Sequence, residues 1–171
     1  MKRALAALTF AVFTIADVRA ELMMDSVSWQ KGRVVGVHPA VWEDAGKVID
    51  GPPKLDSRLR ARLTLKNRGP VPAEGILLRY SMTARVLPSA GDKPEGLWSI
   101  PFMVDEKRVP VLGPNKKMDV VLTTSPALEL YFQKLSRAGW WPDRIKLQVI
   151  VEPHQGSTSL QTLESILEVA K

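Results

Sequence analysis

His38 and His154 are the only two imidazoles in the chain, and there is no cysteine. His38 precedes a proline, and His154 lies between a proline and a glutamine, both in loop-like stretches. Neither belongs to a His-Glu-x-x-His or His-x-His pattern, so a zinc site would have to be assembled by folding, with Glu43 or Asp44 as a further ligand. Two solvated surface histidines are the simpler expectation. Asp44 and Asp50 in "DAGKVIDG" echo an acidic calcium loop but lack its regular acidic alternation. Paired carboxylates at Glu43-Asp44 and Asp105-Glu106 have the chemistry for acid–base work, yet their surroundings read as ordinary turns. There is no Gly-x-Ser-x-Gly elbow and no Ser-x-x-Lys, and "SAGDKPEG" and "GPPKLDS" lack phosphate-loop spacing. The sequence therefore predicts no catalytic residue, no cofactor and no metal ligand.

What remains is aromatic. Tryptophans stand at 29, 42, 98, 140 and 141. Aromatic side chains anchor both cores and interfaces. Trp29 and Trp98 fall in strand-like segments and are expected in the core. Trp42 falls in a long loop, and Trp141 is held extended by Pro142 behind it, so these two form the candidate interaction surface. Trp140 follows Gly139 at the end of a helical pattern, where it is expected to pack on Leu135 as part of a Schellman cap.

The elements that must position these residues are mostly strands. In "RLRARLTLKN", 58–67, Leu59, Ala61, Leu63 and Leu65 share one face, and Arg58, Arg60, Arg62, Thr64 and Lys66 share the other. That is a half-buried antiparallel strand with a solvated arginine face. "ILLRYSMTARVL", 76–87, repeats the pattern with Ile76, Leu78, Tyr80, Met82, Ala84 and Val86 inward. "LWSIPFMV", 97–104, and "KRVPVL", 107–112, carry Pro101 and Pro110 and are placed at sheet edges. "KKMDVVLTT" points Met118, Val120 and Leu122 inward, and "RIKLQVIVE" does the same with Ile145, Leu147, Val149 and Val151. The N-terminal stretch 25–37 reads as one strand or two broken near Gly32, followed by an irregular connection over 38–56. The tail 159–170 fits a strand or a helix, and the polar turn before it favours a returning strand.

One segment has helical spacing. "SPALELYFQKLSRAG" offers Ser125 as N-cap, Pro126 at the first helical position, Glu129 towards the positive end, Lys134 and Arg137 towards the negative end, and Gly139 to close it. The prediction is an antiparallel, immunoglobulin-like β-sandwich over residues 21–171 with one inserted helix at about 126–138. A barrel is the second choice.

Export is the expected fate. "MKRALAALTFAVFTIADVRA" opens with Lys2 and Arg3, continues with an uncharged, mostly apolar run from Ala4 to Ala16, and ends in Val18-Arg19-Ala20. This is the anatomy of a secretory signal peptide cleaved near Ala20. The run is shorter than the roughly 20 residues needed to span a bilayer. The expected location is periplasmic or secreted, with no membrane span in the mature chain. Of 24 basic and 18 acidic residues, the leader holds three and one, which leaves 21 against 17. These charges are scattered, which argues for solubility and against a nucleic-acid partner.

"LTLKNRGPVPAEGILLRY", with its Asn-x-Gly turn between two strands, resembles bacterial immunoglobulin-like modules of the CARDB type (cell-adhesion-related domain of bacteria). "VPVLGPNKKMDVVL" is similar to their later hairpin, and "KLQVIVEPHQGSTSLQTLESILEV" to their closing pair. The resemblance covers roughly 58–87 and 109–169. It departs from the pattern at Gln161-Thr162, where such modules carry paired asparagines, and in the extra helix. It implies a non-catalytic module for adhesion, spacing or assembly in the cell envelope, whose partner is another envelope protein or a polysaccharide. Two alternatives stand beside it: a hydrolase or metal-dependent enzyme with a site built only in the fold, and a chaperone-like partner with an open sheet edge around Trp98–Val104 or Val109–Leu112.

Overall fold

A computed structural model describes residues 19–33, 41–48, 58–88, 95–152 and 160–169. Over these residues it is a mainly β sandwich of two sheets with one helix, as the strand pattern predicts. The first sheet has the order β2 (Val41–Asp44), β1 (Leu22–Arg33), β4 (Arg58–Asn67), β8 (Lys117–Thr123). The second runs β3 (Lys47–Val48), β10 (Gln161–Val169), β9 (Trp140–Val151), β5 (Ala73–Pro88). Along the far side of β5 lie β6 (Leu97–Trp98) and β7 (Met103–Leu112) in succession. All described pairings are antiparallel except the short β3–β10 contact.

The period-two residues fill the interior. Leu59, Ala61, Leu63 and Leu65 of β4 face Ile76, Leu78, Tyr80, Met82 and Ala84 of β5, with Ile145, Leu147, Val149 and Val151 of β9, and all are buried. Trp29 joins them at 4% exposure and donates its indole N–H to Ser165 Oγ at 3.1 Å. The tail is a strand, and its Leu167 and Val169 are buried.

Helix α1 (Ser125–Arg137) follows β8 and packs against β9 and β4 through Leu128 and Phe132, both fully buried. Its bounds lie one residue earlier than expected. Thr124, not Ser125, is the N-cap residue; its side chain makes no capping bond, and its hydroxyl instead donates to Leu59 O at 2.8 Å. The first turn holds no acidic residue, since Glu129 falls beyond it. Gly139 takes φ +76° and donates to Ser136 O, the inner bond of a Schellman closure.

Other expectations are revised. The N-terminal strand runs through Gly32 without a break, and β2 and β3 occupy part of the connection expected to be irregular. The two edge strands expected over 97–104 and 107–112 are instead a two-residue β6 and a ten-residue β7, separated around Pro101. Met118 is partly exposed near the start of β8 rather than buried. Residues 1–18, together with His38, Asp50 and His154, lie outside the described residues.

Side chains close the seams between the sheets. Gln161 of β10 donates its amide to Leu22 O and accepts from Met24 N–H at 3.3 Å, so one side chain satisfies the outward-facing groups of β1 as a neighbouring strand would. On the opposite seam, Lys107 Nζ donates to Val121 O of β8 at 3.2 Å. At one corner the fully buried Asn67 holds three segments together. Its Nδ2 donates to Val71 O, Leu112 O and Gly113 O, and its Oδ1 accepts from Glu21 N–H and Gly69 N–H. A buried amide so fully satisfied fixes one conformation of the turn it sits in.

Candidate interaction surface

The outward side chains of β4 are not simply solvated. Arg60 stacks its guanidinium 3.9 Å from the centre of the Trp42 ring and donates to Gln30 Oε1 at 2.9 Å. Gln30 in turn donates to Asp44 Oδ1, and Arg62 lies 3.6 Å from that same oxygen. Arg62 also donates to Ser28 Oγ and reaches Asp119, which accepts from the Thr64 hydroxyl at 2.8 Å. The outer face of the first sheet is thus one bonded network across four strands.

Trp42 belongs to that network. Its ring lies over Gly32, where a Cβ would meet ring carbons at 2.8–3.0 Å. This is the packing by which an aromatic covers a strand glycine. Trp141 is the second residue of β9 in the other sheet, opposite Leu87. Its ring is half-buried, and its Nε1 is shielded without a hydrogen-bond partner among the described residues. The two tryptophans singled out from the sequence therefore sit on strands of different sheets, and each is packed to a considerable degree. Trp140 is exposed opposite Pro88.

The remaining tryptophan is the one misplaced by sequence reasoning. Trp98 is 43% exposed, not buried, because β6 lies at the sheet edge opposite the outward Arg85. Lys146 Nζ sits 5.1 Å from its ring centre. Around it the chain exposes Leu97 (69%), Ile100 (85%) and Val104 (72%). Four large apolar side chains of this eight-residue stretch are exposed, Trp98 and Val104 on the outer face in register with Arg85 and Ser81, and Leu97 on the other side in register with Val86; so many exposed apolar groups on one short segment mark a candidate interaction site.

The stretch is held in place from behind. Ser99 N–H donates to Ala84 O at 2.8 Å, and Ser99 Oγ accepts from Ala84 N–H while donating to Ile100 O. Phe102 N–H donates to Met82 O, and the Phe102 ring stacks on Tyr131 of α1 with centroids 4.0 Å apart. Anchors at 99 and 102 leave Leu97, Ile100 and Pro101 facing outward. The sequence signal for this was present in "LWSIPFMV": apolar at nearly every position, it cannot be buried on both faces at an edge.

The edge of β7 farther along is guarded. Asp105 Oδ1 accepts from Glu106 N–H at 2.8 Å, Lys107 reaches across to β8, and Pro110 removes a donor. Such features discourage strand addition. Asp105 Oδ2 also accepts from the Tyr80 hydroxyl at 2.8 Å, and burial together with that carboxylate pushes the phenol well above its ordinary range. At a bulge in β9, Arg85 is paired bidentately with Asp143. Of the carboxylates considered for acid–base work, Glu43 is exposed, Asp44 is engaged in the network, and Glu106 lies 3.9 Å from Arg108. Among the described residues no group of three or more His, Asp or Glu could hold a metal ion, and no helix is long and apolar enough to cross a membrane.

No protein-family model and no curated protein matches the chain. Among solved structures it is similar to a β-D-glucoside glucohydrolase from Trichoderma reesei, with a TM-score of 0.40 and 15% identity over 88% of this chain and 19% of that one. It is also similar to a β-glucosidase from Chaetomella raphigera (0.37, 15%, 87% and 18%). A third is AT1g01470 from Arabidopsis thaliana, with a TM-score of 0.29 and 12% identity over 96% and 95% of the two chains. The chain spans about a fifth of the length of either glucosidase. Likeness of this degree assigns neither a family nor an activity.

Proposed function

We propose that this chain is an exported, non-catalytic β-sandwich module that binds another protein of the cell envelope through the stretch 97–104. The observation that carries the reading is the exposure of Leu97, Trp98, Ile100 and Val104 on a segment pinned from behind by Ser99 and Phe102. A pinned segment loses little freedom on binding, so burying its apolar area contributes to affinity. The chemistry favours protein over polysaccharide. Sugar rings stack on open aromatic faces, whereas this patch is mainly aliphatic and its one indole carries Lys146 near its ring. The resemblance to adhesion-type modules and the leader-like N-terminus point the same way.

The test is site-specific crosslinking in intact envelope. A photoreactive residue at Ile100 should give one discrete adduct, abolished by Leu97→Ser with Val104→Ser and unaffected by substitutions on the opposite outer face. A purified partner should bind the wild-type chain and lose at least tenfold in affinity to the double variant. Crosslinking that persists unchanged in the double variant would remove the patch from consideration.

A further inference from the structure

Two positions in the leader carry small residues at the spacing a signal peptidase reads: Val18-Arg19-Ala20, and further upstream Thr14-Ile15-Ala16. The fold treats the residues between them and β1 unequally. Ala20 is 5% exposed and belongs to the core cluster. Its neighbours on either side are built into the corner around Asn67. Glu21 N–H donates to Asn67 Oδ1 at 3.2 Å, and Glu21 O accepts from Arg68 N–H at 2.8 Å. Gly69 is packed directly beneath this segment. A Cβ there would stand 2.4 Å from Arg19 O, 2.6 Å from Glu21 N and 2.8 Å from the Ala20 Cα. These are backbone atoms, so the glycine is required by the presence of residues 19–21 and not by its own dihedral angles.

A cut after Ala20 would remove Arg19 and Ala20 from this corner, empty the place of a buried side chain, and leave Gly69 facing a gap. It would also convert the Glu21 amide into a free ammonium beside a buried amide side chain. A cut after Ala16 leaves the whole corner intact and adds a short lead of Asp17 and Val18. We infer that the leader is removed after Ala16, so that the mature chain begins at Asp17 and residues 19–21 are the lead-in to β1 of the folded domain. This inference rests on the export reading, and its tests separate the two.

The full chain, expressed in a bacterial host with a Sec pathway and recovered from outside the cytoplasm, should yield a mature protein whose intact mass and N-terminal sequence begin at Asp17. A major species beginning at Glu21 overturns the inference while leaving export standing. A protein that keeps Met1 and stays in the cytoplasm overturns both. A second measurement does not depend on processing. Chains beginning at Asp17 and at Glu21, made directly, should differ in thermal midpoint by several degrees, the longer being the more stable. Gly69→Ala should cost far more in the longer chain, because Arg19 O and the Ala20 Cα, two of the three atoms it strikes, are missing from the shorter one. Equal midpoints, or an equal Gly69→Ala penalty in both chains, count against a structural role for residues 19–20 and sink the proposal.

Discussion

Trp42 and Trp98 are both partly exposed tryptophans on outer sheet faces, each with a cation near its ring, yet they belong to different kinds of surface. Trp42 lies over Gly32 beneath Arg60, and Arg60 leads into a chain of bonds through Gln30, Asp44, Arg62 and Asp119. Trp98 has Lys146 near its ring, and Leu97, Ile100 and Val104 of the same stretch are largely exposed. The first surface has spent its polar and aromatic groups on one another. The second is apolar, fixed in position and unused within the molecule. Exposure of an aromatic ring therefore says little about binding until its neighbours are known.

Substitutions should separate the two surfaces by what they damage. Gly32→Val is expected to have the largest effect on stability, about 2 kcal/mol, since the added carbons displace the Trp42 ring and with it the Arg60 stack. Denaturant unfolding measures it, and partner binding at 97–104 should be unchanged. Arg62→Ala should cost roughly 0.5–1 kcal/mol, because its ion pairs are partly solvated and its firmest contact is to the Ser28 hydroxyl. A smaller loss in high salt for the wild-type difference would confirm the electrostatic share.

Tyr80 probes the guarded part of the second sheet. Its phenol is held protonated by burial and by Asp105, so the raised folded value gives a contribution that is whole below the ordinary tyrosine range. That contribution declines as pH rises above 10.0, the unperturbed value, because the unfolded chain ionises first. Tyr80→Phe should be about 1 kcal/mol less stable near neutral pH. The gap to wild type should close in alkaline solution, as followed by unfolding across a pH series. The smallest stability effect belongs to Leu97→Ser with Ile100→Ser, within about 0.5 kcal/mol, because both side chains are already in water. The same pair should nonetheless weaken partner binding at least tenfold. A large loss of stability here, or none of binding, would erase the contrast between the faces.

Much of the fold was legible because a half-buried strand writes its burial into every second residue. Leu59 to Leu65, Ile76 to Ala84 and Ile145 to Val151 could each be assigned to the interior from alternation alone, and all are buried. The helix was legible from Pro126, the spacing of Leu128 and Phe132, and Gly139. Its cap was not, because the Thr124 hydroxyl is turned to donate to Leu59 O, a partner that only tertiary structure supplies. Trp98 was misplaced for a related reason. Composition marks a segment as apolar, but whether a second layer covers it depends on where the strand falls in the sheet. The significance of Trp42 was equally hidden, since its partners Gly32 and Arg60 come from two other strands.

Gln161 has a mechanical consequence. Where β10 approaches β1, the hydrogen bonds across the join come from side chains: the Gln161 amide on Leu22 and Met24, and Ser165 on the Trp29 indole. A seam of this kind can yield without unzipping any ladder. Under load, or in thermal breathing, this line can open like a book at an unglued page while both sheets stay whole. The Met24 amide should then exchange with solvent at a rate governed by residue 161 rather than by the stability of either sheet.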